Sequence, residues 1–213
     1  MKKILIIGNA KVHRDYKNLF NSANLIVRFN NPRLLGDFDD GRTDYLSIGD
    51  TGNPALIFLL QIKNRVNNNF YKIYKKSKNI IFSRNSDSHK KHFLKQKDFF
   101  KKSHLESHLS IADFFIPELK KDNKIATYVS KKDNDYCFKK LSDISNPRFI
   151  CPSTGFLTIH YFLRSPKFNN YEKILIGFTF KGWKGHPWSA EKKVLLEYSK
   201  TNKITLFKER FFF

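Results

Sequence analysis

The feature that most constrains the fold is a series of short, uninterrupted apolar runs, most of them stopped by glycine or asparagine. Ile4-Leu-Ile-Ile7 runs into Gly8-Asn9, and Leu25-Ile-Val-Arg-Phe29 ends in Asn30-Asn31-Pro32. Asp44-Tyr-Leu-Ser-Ile48 ends in Gly49-Asp50, Asn79-Ile-Ile-Phe82 has the same form, and Lys173-Ile-Leu-Ile176 precedes Gly177-Phe178. Runs of this length without polar alternation read as strands buried on both faces. Stretches of helical character separate them: residues 15–21, residues 54–62 with proline in the first turn, residues 151–163 opened by Cys151-Pro-Ser-Thr-Gly155, and residues 189–199. Arg148-Phe-Ile150 reads as a further strand and Ile204-Thr-Leu-Phe207 as a last short one. Strands alternating with helices predict an α/β fold built on a mostly parallel sheet flanked by helices.

With 213 residues the chain reads as a single domain, 1–213, in which the weakly periodic stretch 83–146 forms a basic insertion or lid. Its 40% hydrophobic content, with 22 Phe, excludes a disordered chain, and seven Pro and nine Gly exclude collagen-like or low-complexity classes. No apolar run approaches the ~18 residues of a membrane span. The start is basic like that of a secretory signal, but its apolar stretch stops at Ile7, too short for the hydrophobic part of one. Cys137 and Cys151 are the only cysteines, which gives no disulfide framework and suits a reducing compartment. A cytoplasmic protein is expected.

Forty Lys and Arg against 19 Asp and Glu leave a net charge of +21. Lys, Asn, Ile and Phe are abundant together, as in A/T-rich coding, so part of that charge is compositional. Its distribution is nonetheless uneven: residues 63–102 carry 11 Lys and 2 Arg against two Asp. Such a field attracts phosphates, whether on nucleic acid, on anionic lipid or on a nucleotide-bearing substrate.

In parallel sheets ligands sit beyond the carboxyl ends of the strands. Gly8-Asn9, Asn30-Asn31, Cys151-Pro-Ser-Thr-Gly155 and Gly177-Phe178 lie at such ends, so small and hydrogen-bonding groups would converge on one crevice. Ser153 or Thr154 can cap the helix they open, whose N–H groups then make an anion site. Gly8-Asn9 is not a G-x-G-x-x-G, so a dinucleotide fingerprint is absent. His186 precedes a helix that Pro187 or Ser189 could start, with Glu191 in its first turn. The positive end of that helix favours a neutral imidazole, and a neutral His can act as a general base. Taken singly, each of these has a plainer reading as a cap, a strand-ending turn or a packed histidine.

Order and spacing together are more specific. Ile-Ile-Gly8-Asn9, Ile-Val-Arg28-Phe-Asn30-Asn-Pro32 and Asp40-Gly-Arg-Thr-Asp44 together resemble the long sialyl motif of the animal-type, family 29-like sialyltransferases. Pro152-Ser-Thr-Gly-Phe-Leu with Ile-Gly177-Phe178 looks like their short motif, and His186-x4-Glu191 like the very short one. The three occur in the family's order over about residues 4–196. The resemblance implies a metal-independent, inverting transferase moving sialic acid from CMP-sialic acid to a sugar hydroxyl, with no cofactor beyond that donor. It also implies a Rossmann-like sheet, the sialyltransferase variant of the GT-A fold. Carried over by position, Asn9 beside Gly8 and Asn30 contact the donor's nucleotide. Ser153, Thr154 and Gly155 cradle its ribose, phosphate or carboxylate, and Gly177 with Phe178 lines the cytidine pocket. His186 is the base, and Glu191 orients its loop or His186.

The chain departs from the family in three ways. The stretch Phe178-Thr-Phe-Lys-Gly-Trp183 lacks the family's additional His motif, leaving Lys181 or Lys184 as candidates for the phosphate contact. No cysteine lies near Ile4, so the disulfide joining the long and short motifs in animal members cannot form. The family's amino-terminal membrane anchor is expected to be missing, because the long motif begins at residue 4. The absence of that disulfide suits a bacterial cytosolic enzyme. Two apparent metal motifs are declined: Asp37-Phe-Asp39-Asp40 reads as a solvated turn, and His104 and His108, with His89 and His92 near, lack a third ligand.

The partners expected are a CMP-sugar donor and a glycan acceptor, lipid-linked, of bacterial lipooligosaccharide or capsule. Peripheral contact with the anionic inner membrane would run through residues 63–102 and Phe207-Lys-Glu-Arg-Phe-Phe-Phe213. CMP-Kdo or another CMP-sugar is an alternative donor, since motifs that hold the nucleotide do not separate them. A basic nucleic-acid-binding protein is the alternative from another class; it predicts steeply salt-dependent binding and leaves Pro152–Gly155 and His186–Glu191 unexplained.

Overall fold

The structure, a computed structural model, describes residues 1–97, 101–102, 106, 109–145 and 149–207. Seven strands form one sheet in the order β5-β4-β3-β2-β1-β6-β7, and every neighbouring pair is parallel. They are β1 (Lys2–Ile7), β2 (Leu25–Phe29), β3 (Tyr45–Ile48), β4 (Asn79–Phe82), β5 (Ile125–Tyr128), β6 (Tyr171–Ile176) and β7 (Thr205–Leu206). The helices are α1 (Lys17–Ser22), α2 (Gly52–Lys63), α3 (Asn69–Lys76), α4 (Ser86–Leu94), α5 (Ile116–Lys121), α6 (Lys131–Ser142), α7 (Thr154–Arg164) and α8 (Trp188–Lys200). This is the parallel α/β architecture expected from the alternation, and the Rossmann-like sheet that the resemblance implies.

The continuous apolar runs are explained by cover on both sides. Ile4, Ile6 and Val27 pack with Phe138 of α6, Leu157 and Phe162 of α7 and Val194 of α8. Their alternate neighbours Leu5, Ile7 and Ile26 join Phe20 of α1. On β3 and β4, Leu46, Ile48, Ile80 and Phe82 meet Leu59 of α2, Phe70 and Tyr74 of α3 and Leu119 of α5. β1 to β4 and β6 thus contribute apolar side chains to two layers.

From β1 the chain winds outward through β2, β3, β4 and β5, then returns to place β6 on the other side of β1. The order reverses between β1 and β6, and a crevice opens beyond their carboxyl ends. Gly8 and Gly177 occupy those ends. A Cβ on Gly8 would lie 2.2 Å from the Gly177 carbonyl oxygen, and Gly177 itself has φ +69, so close approach at one position and a left-handed backbone at the other require glycine.

Three expectations are corrected. The described part of 148–150, Phe149 and Ile150, is not a strand; Ile150 donates its N–H to Gly185 O at 2.9 Å in a loop, and Arg148 lies outside the described residues. The stretch 83–146 contributes to the sheet itself, since β5 pairs with β4 and Cys137, Phe138 and Leu141 of α6 are core residues. β5 escapes sequence reading because it is a four-residue edge strand with Ile125 and Tyr128 half exposed. Asp39 is no solvated residue: it is buried and forms a 2.6 Å ion pair with Arg28, which is itself fully buried on β2.

Arg28 also donates to the carbonyls of Arg33 (3.1 Å) and Arg42 (3.4 Å), while Asp39 accepts from the N–H groups of Leu35 and Gly41. The pair therefore folds the 33–42 loop onto the sheet. Removing one partner leaves a buried charge uncompensated, so Asp39→Ala should lower the unfolding free energy by about 3–5 kcal/mol in urea denaturation.

Candidate functional site

The ten residues to which the resemblance gives a definite place all line one cavity of about 340 Å³ at the β1/β6 crevice: Gly8, Asn9, Asn30, Ser153, Thr154, Gly155, Gly177, Phe178, His186 and Glu191. The volume suits a small-molecule ligand. The strand ends are stitched together here. Asn9 Nδ2 donates to Phe29 O (3.1 Å), and Asn30, at φ +50, accepts the Gly49 N–H on Oδ1 (2.6 Å). Each amide spends one polar atom on the scaffold in a side chain that lines the cavity. Phe178 packs edge-on against Phe29, centroids 5.9 Å apart, and gives the cavity an aromatic wall.

Ser153 is the N-cap of α7, its Oγ accepting from Phe156 N–H at 3.1 Å. The amides of Thr154 and Gly155, in the first turn, have no helical carbonyl to reach and suit an anion. Beneath the cap lies the Glu191 carboxyl, which accepts from Ser153 N–H and Ser153 Oγ, both at 2.7 Å. Burial pushes the Glu191 pKa up to about 7, against the opposing pull of the two Ser153 bonds and the Arg84 charge. Glu191 therefore fixes the Ser153 turn.

His186 sits in the loop before α8. Its Nδ1 lies 2.8 Å from the Cys151 carbonyl oxygen, a group that only accepts, so Nδ1 carries hydrogen and the neutral ring holds its lone pair on Nε2. The ring packs edge-on between Trp183 (4.8 Å, 84°) and Trp188 (5.0 Å, 87°), and Trp188 Nε1 donates to Trp183 O at 2.9 Å. The imidazole is held in place by two indoles and one carbonyl.

A second cavity of about 530 Å³ adjoins the first and shares Asn30, Thr154, Trp183 and His186 with it. Arg84 lines it and donates to Pro152 O at 2.6 Å. Asp50 accepts from the Arg84 amide (3.3 Å) and from Ser110 Oγ, and burial raises its pKa to about 6. Arg84, Asp50, Trp183 and Trp188 were not among the sequence candidates. Arg84 and Asp50 follow the ends of β4 and β3, so the strand-end rule, applied to every strand, points to them.

Of the two lysine candidates, Lys181 lines the first cavity and Lys184 is not in its lining. Among the described residues no group of three or more His, Cys, Asp or Glu is arranged to hold a metal ion. His104 and His108 lie outside the described residues, and His89 and His92 are buried beside Phe138. No described helix is long and apolar enough to cross a membrane.

No family model matches the chain. Its sequence is 22% identical over 198 residues, 89% of this chain and 85% of the relative, to the urease operon 23 kDa accessory protein of Rhizobium meliloti. Solved structures similar in fold include the sialyltransferase CstII of Campylobacter jejuni in complex with the substrate analogue CMP-3FNeuAc. That match has a TM-score of 0.53 and 18% identity, and covers 97% of this chain and 80% of the other. A variant of the sialyltransferase CST-II in complex with CMP gives 0.55 and 17%, over 97% and 81%. A mammalian sialyltransferase gives 0.52 and 15%, over 98% and 70%. The chain has the sialyltransferase fold.

The buried carboxyl makes stability depend on pH in a definite sense. Glu191 keeps its proton in the folded chain up to about pH 7 but releases it near 4.5 when unfolded. Between those values the folded state binds more protons, so the stability present at low pH is lost as pH rises through the window, by at most about 1.4 kcal/mol per unit. Relative to the unaltered chain, Glu191→Gln should make the slope of stability against pH between 6 and 7 more positive, measured by urea denaturation across pH. The slope left between about pH 4 and 6 should have the opposite sign, because burial lowers the His92 and His160 pKa values to about 4 and about 3, and these two outweigh Asp50, whose pKa is raised from 3.8 to about 6.

Proposed function

We propose that the chain is an inverting, metal-independent glycosyltransferase that moves sialic acid from CMP-sialic acid to a sugar hydroxyl, with His186 as the general base. The observation that carries this reading is the convergence of the three sialyl-like motifs on one cavity beside the α7 N-terminus. The fold, shared with sialyltransferases crystallised with CMP and a CMP-sugar analogue, supports it.

In this reading the first cavity takes the donor. Asn9 and Asn30 hold the nucleotide, Gly177 leaves room for the cytidine, and Phe178 offers it an aromatic face. The α7 amides at Thr154 and Gly155 meet the phosphate or the donor carboxylate. Lys181 is the one lysine or arginine among the described residues lining that cavity, and it supplies the cation that the missing His motif does not. The acceptor enters the second cavity, so that His186, shared by both, stands between the two substrates.

The chemistry is a single displacement. The acceptor hydroxyl passes its proton to Nε2 of His186 as its oxygen bonds to the anomeric carbon. The bond from that carbon to the phosphate oxygen breaks on the opposite face, and CMP leaves with the electron pair. Because the leaving group is already a phosphate, its departure calls for N–H donors and positive charge and not for a proton donor. The acceptor would be a lipid-linked surface glycan of a bacterium, met at the cytoplasmic face of the inner membrane.

Mass spectrometry after incubation with CMP-Neu5Ac, CMP-Kdo and a panel of acceptors tests the activity and separates the two donors. His186→Ala should lower turnover by ~10²-fold or more with little change in CMP affinity. In calorimetry, Lys181→Gln should weaken CMP about tenfold while leaving cytidine unchanged, and Lys184→Gln should alter neither.

A further inference from the structure

Helix α2 carries more aliphatic surface than its packing uses. Ala55-Leu-Ile-Phe-Leu-Leu60 is unbroken apolar sequence. Ala55, Leu59 and Ile62 are buried, whereas Leu56, Ile57 and Leu60 are 49%, 51% and 55% exposed. At 3.6 residues per turn those three and Lys63 share one outward arc of about 120°. Val66, also exposed, follows in the loop after the helix. Contiguous large aliphatics at half exposure mark a contact surface and not the scatter normal on a soluble face.

The surrounding charge selects the partner. Lys63 ends the helix, and Arg65, paired with Asp122, follows two residues on. Helix α3, stacked on α2 through Phe58 and Phe70 at 4.6 Å, exposes Lys72, Lys75 and Lys76. A second copy of a chain with a net charge of +21 would bring like charges together around the same face. An anionic bilayer offers both an apolar interior for the leucines and opposite charge for the lysines.

The position of the helix gives the contact a consequence. Gly52, Asn53, Pro54 and Phe58 of α2 line the second cavity together with His186. The geometry points to the outward face of α2 as a docking surface for an anionic lipid bilayer, which would deliver an acceptor on a lipid to that cavity. The delivery rests on the donor reading above; the docking itself does not.

The test is co-sedimentation with vesicles of phosphatidylcholine containing phosphatidylglycerol, beside phosphatidylcholine alone. Light scattering and CMP calorimetry run on the same samples. The unaltered chain should bind the anionic vesicles. The triple variant Leu56→Ser, Ile57→Ser, Leu60→Ser should bind them about tenfold or more weakly while keeping its CMP affinity. Equal binding by the variant, or no binding by the unaltered chain, overturns the inference. A dimer that the variant converts to monomer, without vesicle binding, assigns the face to a second copy and overturns it equally. If the unaltered chain binds vesicles through α2 yet does not bind CMP, the docking surface stands and the donor reading falls.

Discussion

The site depends on one buried connection, the Glu191 carboxyl beneath the Ser153 turn. Two loops far apart in sequence must lie side by side for the cavity to exist: residues 150–153, which lead into α7, and residues 183–187, which lead into α8. Backbone bonds from Ile150 and Cys151 to Gly185 O bring them together, and the His186 bond to Cys151 O runs between the same segments. These contacts lie at the loop edge. Glu191 supplies the deep one, taking both polar hydrogens that Ser153 can offer. Burial makes that connection costly to ionise, and the cost is accepted because an unanchored cap would leave the α7 amides misdirected.

The parallel sheet explains why the cavity is where it is. Only at the β1/β6 reversal do neighbouring strands send their chains to opposite faces, so only there is the space beyond the strand ends not filled by a crossing connection. The glycines let the two strand ends approach to backbone contact, and their missing side chains become part of the crevice. Asn9 and Asn30 then tie β1 to β2 and β2 to β3 beyond the last ladder bond. The residues that shape the cavity are thus also those that close the sheet edge above it.

That double duty made much of the site legible in the sequence. Gly8, Asn30 and Ser153 announce themselves because a strand end, a left-handed turn and a helix cap each demand a restricted set of residue types. Most of the strands were legible for a related reason, since full burial removes polar alternation. β5 lacked that signal, as an edge strand with exposed Ile125 and Tyr128 has no such requirement. Arg84 and the indoles around His186 were not legible either. Their roles come from contacts across the fold: Arg84 reaches Pro152 from 68 positions away, and Trp183 and Trp188 matter only through the ring between them. Asp39 misled for the converse reason, because its ion pair with Arg28 is invisible until the loop is folded.

The way His186 is held bears on the proposed chemistry. A histidine whose Nδ1–H meets a carbonyl oxygen has its tautomer and ring orientation fixed. Here the partner is the Cys151 carbonyl, and the nearby acid, Glu191, is committed to Ser153. The division is consistent with what the displacement asks of each group. In the proposed displacement the base takes a proton as the hydroxyl attacks, which asks for an imidazole held in one tautomer. In the same reading the larger charge change would fall on the departing phosphate, where the α7 amides, aligned by the buried Glu191 carboxyl, would meet it.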